Sequence, residues 1–247
     1  VFVMNVQGFD EFELDLELAF KRDLPPFIDG LEAAPLTFIN VSSIPAKKNG
    51  VYLLLQDDKV MYVGKTDSRG GFQNRLLRHS EHVKHRHNLD PNLMHFKAVA
   101  IPVFKNADLE TILIDHYGAP WNNSGFGGND PGKERDTQRP AVFDLNHPID
   151  IDRDLDFIQL GLISAQELLR LLSARLPYTF RYEKRKYQDE LNFNVEITAA
   201  TSSMRELLML ILNGLPSSVW QTTILYGRII LYRENREYPF FQEVIRS

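Results

Sequence analysis

The sequence predicts an α/β (α+β) protein, and three features predict it. Two β-like runs, Val51–Gln56 and Val60–Gly64, flank Asp57-Asp58 and read as a hairpin. Two helical patterns follow, from Phe72 to about His87 and from Ala107 to Tyr117, separated by a β-like run at His95–Val103. The last hundred residues then carry helix and strand patterns of their own. A length of 247 residues suits one large domain or two modest ones. The expected division is an N-terminal β-containing extension (1–49), a core domain (50–150) with a long functional loop (118–150), and a small C-terminal α+β domain (151–247). The core is expected to hold a small three-stranded sheet, mixed or antiparallel, flanked by helices.

Each element has its own reason. From Phe12 to Phe20 apolar residues alternate with acids or Ala, a strand period, although Leu and Glu favour helices. Pro25-Pro26 is expected to break this element, and Leu36–Val41 reads as a second β run. Gly70-Gly71 closes a loop before the first helix, which turns Phe72, Leu76 and Val83 inward. Asn106 suits the N-cap of the second, and Gly118 and Pro120 stop it. Residues 118–150 are rich in Gly, Asn and Pro, and loops of that length are usually functional.

Asp150, Asp152, Asp154 and Asp156 mark a boundary. They resemble a calcium loop, but Leu155 stands where such a loop needs Gly, so a solvated linker is the better reading. Beyond it Glu167–Pro177 recurs 39 residues later as Glu206–Pro216. Each copy precedes two β-like runs: Tyr178–Lys186 and Phe193–Ala199, then Val219–Tyr226 and Arg228–Arg233.

Composition excludes several functions. With no Cys there is no disulfide, Cys-ligated zinc or thiol nucleophile. No apolar run is long enough for a membrane helix, and no secretory signal is visible, so a soluble, cytoplasmic protein is expected. The net charge is −5 but unevenly spread. Residues 50–105 carry nine basic and five acidic side chains and five of the seven His. The basic stretch is centred on Arg75, Arg78, His79, His82, Lys84, His85, Arg86 and His87. A zinc site there lacks a fourth ligand, and a helix laid along phosphates suits the interleaved Arg and Lys better. Gly64-Lys65-Thr66 looks like the end of a nucleotide-binding loop, but Lys59 occupies the position of its first Gly. Neither Gly-x-Ser-x-Gly nor His-Glu-x-x-His occurs.

The remaining polar residues form an ordered set. Tyr52 and Tyr62 sit on paired strands, Lys65 lies past the hairpin, and Arg75 and His79 share a helix face. Glu110 opens the next helix and Asn122 lies in the loop beyond. Gly50-Val51-Tyr52, Tyr62-Val63-Gly64, Lys65, Arg75, His79, Glu110 and Asn122, in that order and spacing, resemble the GIY-YIG nuclease family. Val replaces Ile in both triplets. Pro120-Trp121-Asn122, Gly125-Phe126-Gly127, Pro131-Gly132, Phe143-Asp144 and His147-Pro148 extend the resemblance to the type II restriction endonuclease branch.

The resemblance implies a DNA endonuclease, and phosphodiester hydrolysis assigns the roles. Glu110 would hold one Mg2+ or Mn2+ ion, whose hard-oxygen preference suits a carboxylate. Arg75 would clamp the phosphate, and Lys65 would stabilise a nearby anion. Tyr52 is the candidate base, its pKa drawn down by Lys65, Arg75 and the metal, with His79 accepting or relaying its proton. Tyr62 positions phosphate or water, and Asn122 orients Glu110 or holds the hairpin. Candidate DNA contacts are Arg78, His82, Lys84, Arg86, Lys133, Arg135 and Arg139. Expected partners are double-stranded DNA, a homodimer or transient dimer on it, and a protein docked through 155–247. Restriction or phage defence is the leading function. A nicking or structure-specific repair or mobile-element nuclease is the alternative, and a binding module that kept only the nuclease fold is a third.

Overall fold

The computed structural model describes residues 8, 15–66, 70–101, 108–127, 132–198 and 203–247. The expected N-cap Asn106 lies outside them, as do Phe12–Leu14, Val103 and Ala199.

The chain enters through helix α1 (Leu16–Asp29), where the alternation pattern led us to expect a strand. Phe20, Leu24 and Ile28 recur every fourth residue and pack into the apolar core, while Leu16 and Leu18 of the alternating set stay exposed. The four-residue spacing wins because it buries one contiguous helix face. Asp15 caps the start by accepting a hydrogen bond from the Leu18 amide. Pro25 and Pro26 lie inside the helix instead of ending it. The second expected strand is also replaced, by β1 (Ala34–Pro35) and a one-turn helix α2 (Phe38–Ser42) capped by Thr37.

The hairpin forms as expected from β2 (Gly50–Gln56) and β3 (Lys59–Lys65). Asp57 and Asp58 both take positive φ, the backbone that matches a two-residue turn to strand twist. Helix α3 (Gly71–Lys84), strand β4 (Met94–Ala100) and helix α4 (Leu109–Tyr117) follow. Asp108 caps α4, and Gly118 ends it in the left-handed conformation. The sheet is antiparallel in the order β1-β4-β2-β3, so the expected three strands gain a short fourth.

Strand alternation splits the hairpin between two layers. Val51, Leu53, Leu55 and Val63 face a core closed by α1 and α4. Tyr52, Leu54 and Tyr62 face the other way, into a core with Phe72 and Leu76 of α3. The loop after α4 closes over this second core through Trp121, Phe126 and Phe143, the last on the short helix α5 (Val142–Asn146).

The C-terminal region has its own core, built around Leu168, Leu207 and Trp220. Its elements are β5 (Gly161–Ser164), α6 (Ala165–Arg175), β6 (Thr179–Tyr182), β7 (Asn194–Ile197), α7 (Met204–Asn213), β8 (Gln221–Ile224), β9 (Arg228–Tyr232) and β10 (Glu243–Arg246). Both helices of the apparent repeat form, but the strands after them are not equivalent. β8 and β9 are an antiparallel hairpin, whereas β6 runs parallel to β9 and β7 pairs with β5. The four-stranded sheet has the order β10-β8-β9-β6. The acidic segment 150–156 is anchored rather than a free solvated linker. Ile151 and Leu155 are buried, and Asp152 pairs with Arg205.

Candidate active site

Register brings the two tyrosines together. Tyr52 lies opposite Gly64 and Tyr62 opposite Leu54, so both side chains emerge on one sheet face, with ring centroids 6.1 Å apart. Each signature glycine is a steric necessity. A Cβ on Gly64 would lie 2.4 Å from the Tyr52 hydroxyl, and one on Gly50 would lie 1.9 Å from the Val99 carbonyl of β4. Gly64 is the bed on which the Tyr52 ring rests, and Gly50 lets β4 close against β2.

Helix α3 crosses this face. His79 Nε2 lies 2.8 Å from Tyr52 Oη, and the buried imidazole stacks on Phe126 at 5.0 Å. Burial, followed by the nearby Arg75 and Arg78 guanidinium groups, pushes His79 down to about 3, so the ring is neutral at physiological pH. Arg75, one turn earlier, exerts its charge on both tyrosines. Burial raises Tyr52 well above an ordinary phenol, and Arg75 offsets only part of it. The expected depression of Tyr52 rests on Lys65, Arg75 and the metal together, and of these Arg75 bears on it here. Burial and then Glu110 raise Tyr62 as well.

Glu110 reaches the same region from the first turn of α4. Its carboxylate lies 3.3 Å from Lys65 Nζ, which also lies 3.5 Å from Asp108. Lys65 thus stands at the end of β3 between two carboxylates rather than against the tyrosines. Asn122 is fixed differently. Its side chain accepts from the Val63 amide and donates to the Val63 carbonyl, both at 2.8 Å, clamping the outer edge of β3. Of the two roles considered for Asn122, these bonds favour holding the hairpin.

The candidate DNA contacts separate by burial. Arg78 is exposed on α3, Arg139 is exposed in the loop, and Arg135 is half-buried. Lys84 is paired with Glu81, and Lys133 lies 4.3 Å from the centre of the Tyr232 ring. His82 and Arg86 are the buried members of the set. His82 packs against Phe126 and Phe143, and burial, then Arg86, holds it well below the usual imidazole range. Arg86 is buried in an ion pair with Asp144 at 2.8 Å and donates to the His147 carbonyl. Both line the groove between α3 and the C-terminal region.

Sequence reasoning gave no role to Asp108 on Lys65, the Phe126 stack on His79, or Gly127. Gly127 has φ +70°, and a Cβ there would lie 3.1 Å from Tyr62 Oη. The Gly125-Phe126-Gly127 spacing was the visible signal for the last two. Among the described residues no cluster of three or more His, Asp or Glu is arranged to hold a metal.

Residues 56–151 match the family model described as the Eco29kI GIY-YIG domain. The chain carries a GIY-YIG domain. The matched family is a type II restriction endonuclease family, and members of the GIY-YIG domain family are endonucleases that hydrolyse DNA phosphodiester bonds. The matched span includes the Tyr62 triplet and every later site residue, and starts just after the Tyr52 triplet. No curated protein matches the chain. Among the described residues no helix of the GIY-YIG domain or its neighbours is long and apolar enough to cross a membrane.

Proposed function

We propose that this protein is a metal-dependent restriction endonuclease that cuts double-stranded DNA in the cytoplasm as a defence against incoming phage DNA. The observation that carries the reading is the 2.8 Å contact of Tyr52 Oη with a neutral, buried His79, on the sheet face that also holds Tyr62 and Arg75. A phenol hydrogen-bonded to a neutral imidazole is a proton relay. Attacking water gives its proton to Tyr52 Oη as Tyr52 gives its own to His79 Nε2. The new P–O bond forms as the bond to the leaving oxygen breaks, and that oxygen takes a proton from solvent. The bound phosphate offsets the positive charge of Arg75 and Arg78, the second cause of the low His79 basicity, so the acceptor strengthens when substrate arrives.

Arg75 is placed to hold a nonbridging oxygen and to favour the pentavalent transition state. Tyr62, under Gly127, orients the phosphate or the water. Glu110 fits one Mg2+ or Mn2+ ion. Such ions are commonly held by one or two carboxylates and substrate phosphate, and the Glu110 side chain is partly exposed with Asp108 beside it. The ion would supply Lewis-acid polarisation of the phosphate and neutralise developing charge. Each chain has a single set of these residues, so cutting both strands calls for two copies on the DNA or successive nicks.

Incubating the protein with unmodified plasmid and with modified phage DNA, with and without Mg2+, tests the reading. Discrete, Mg2+-dependent fragments from one of the two substrates are expected. Preference for branched over plain duplex would favour the repair or mobile-element alternative. Absence of cutting on all of them would overturn the proposal.

A further inference from the structure

A groove of about 660 Å³ separates α3 from the C-terminal region, and the GIY-YIG relay opens into it through His79. Its nuclease wall carries Arg78 and Arg135, and its far wall carries Arg181, Lys184 and Arg228. Arg181 and Arg228 both bear on the buried Asp136. Arg78, Arg135 and Lys184 have no carboxylate partner among the described residues. On a chain of net charge −5, this concentration of cations beside the reacting centre is a local field for a polyanion. The wall is placed by the fold: β6 is the edge strand of the β10-β8-β9-β6 sheet, and Lys184 follows just beyond its end. The Arg181–Asp136 pair and the hydrogen bond from the Ile149 amide to the Tyr226 carbonyl lock that sheet against the nuclease domain.

We propose that the C-terminal region forms the second wall of the DNA channel. The backbone of bound duplex runs from the Tyr52–His79 pair into the groove between α3 and β6, where Arg78, Arg135 and Lys184 meet phosphates beside the scissile one. This rests on the DNA-cleaving reading above and adds which surface outside the matched family span holds the substrate.

The test is the salt dependence of duplex binding by the full-length protein in a Glu110→Ala background, measured by fluorescence anisotropy with a labelled plain duplex in Mg2+. Lys184→Ala should weaken binding and lower the slope of log K against log salt by about 0.9, the value for one lost phosphate contact. Lys184→Ala with Arg135→Ala should lower it by about twice that. Arg246→Ala, which removes the same charge from β10 at the opposite edge of the sheet, should leave the slope unchanged. A wild-type slope in both groove variants, or an equal loss in Arg246→Ala, overturns the assignment. Plasmid cleavage by the wild type, run in parallel, separates the two claims. Cleavage with unaltered slopes sinks the channel alone, whereas no cleavage and no salt-dependent binding sinks both. Binding of acidic peptides in place of DNA would likewise overturn it.

Discussion

Tyr52 Oη and His79 Nε2 lie 2.8 Å apart with neither residue exposed to bulk water. One comes from the centre of a strand and the other from a helix 27 residues on. Their contact depends on Gly64 beneath the Tyr52 ring and Phe126 stacked on the imidazole.

If that contact is the proton relay, removing the hydroxyl should remove chemistry and not binding. Tyr52→Phe is expected to lower the cleavage rate by about 100-fold or more, the usual worth of a general base, with duplex affinity little changed. Single-turnover cleavage beside a binding titration checks this, and a Phe variant that cuts at the wild-type rate removes Tyr52 from the mechanism.

Gly64→Ala tests the bed under the ring. A Cβ placed 2.4 Å from the Tyr52 hydroxyl cannot be accommodated without moving a fully buried aromatic. Overpacking of this kind costs about 1–3 kcal/mol. A shift of the ring by about 1 Å should cost about 100-fold in rate. The expected signature is a folded protein, modestly less stable to urea, with cleavage largely lost. Wild-type cleavage in that variant would mean the ring's position is unimportant.

Acid should unfold the protein through its buried histidines. His79 is neutral in the folded state down to about pH 3, whereas an unfolded histidine protonates near 6.5. The stability this contributes is complete above 6.5 and is lost as pH falls from 6.5 toward 3. Between those values the slope is about 1.4 kcal/mol per pH unit. His82 acts in the same direction. Urea unfolding from pH 8 to pH 4 should show wild type losing stability more steeply than His79→Gln. Parallel curves would contradict the burial of a neutral His79.

The Arg86–Asp144 pair joins α3's far end to the loop under the C-terminal sheet. Gly227 makes room for it, since a Cβ there would lie 2.3 Å from the Asp144 carboxylate. Arg86→Met leaves that carboxylate without its cation and is expected to destabilise by about 3–5 kcal/mol. A loss of that size is a large share of an ordinary domain's stability. Urea midpoints decide it, and a change below the scatter of surface substitutions would mean that the pair is dispensable.

The parts legible in the sequence are those set by local pattern. The hairpin, α3 and α4 follow from periodicity and stop signals, and the site residues from their order along them. Helix α1 was hidden because its exposed Leu16 and Leu18 mimic strand alternation, while the burying set Phe20, Leu24 and Ile28 crosses two prolines. Distant chain decides the rest. His82 and Arg86 look like part of a solvated basic helix face until the loop carrying Phe143 and Asp144 covers them. Likewise Asn122 has one sequence signal but two possible partners, and only its bonds to Val63 distinguish them.

Glu110 carries the metal-dependent part of the account, and the most direct measurement pairs wild type with Glu110→Ala on the same plasmid in Mg2+, following binding and cleavage together. The account predicts that Glu110→Ala binds duplex within a few-fold of wild type and cuts nothing. Cleavage by Glu110→Ala at the wild-type rate, or wild-type cleavage that persists in excess EDTA, would contradict it.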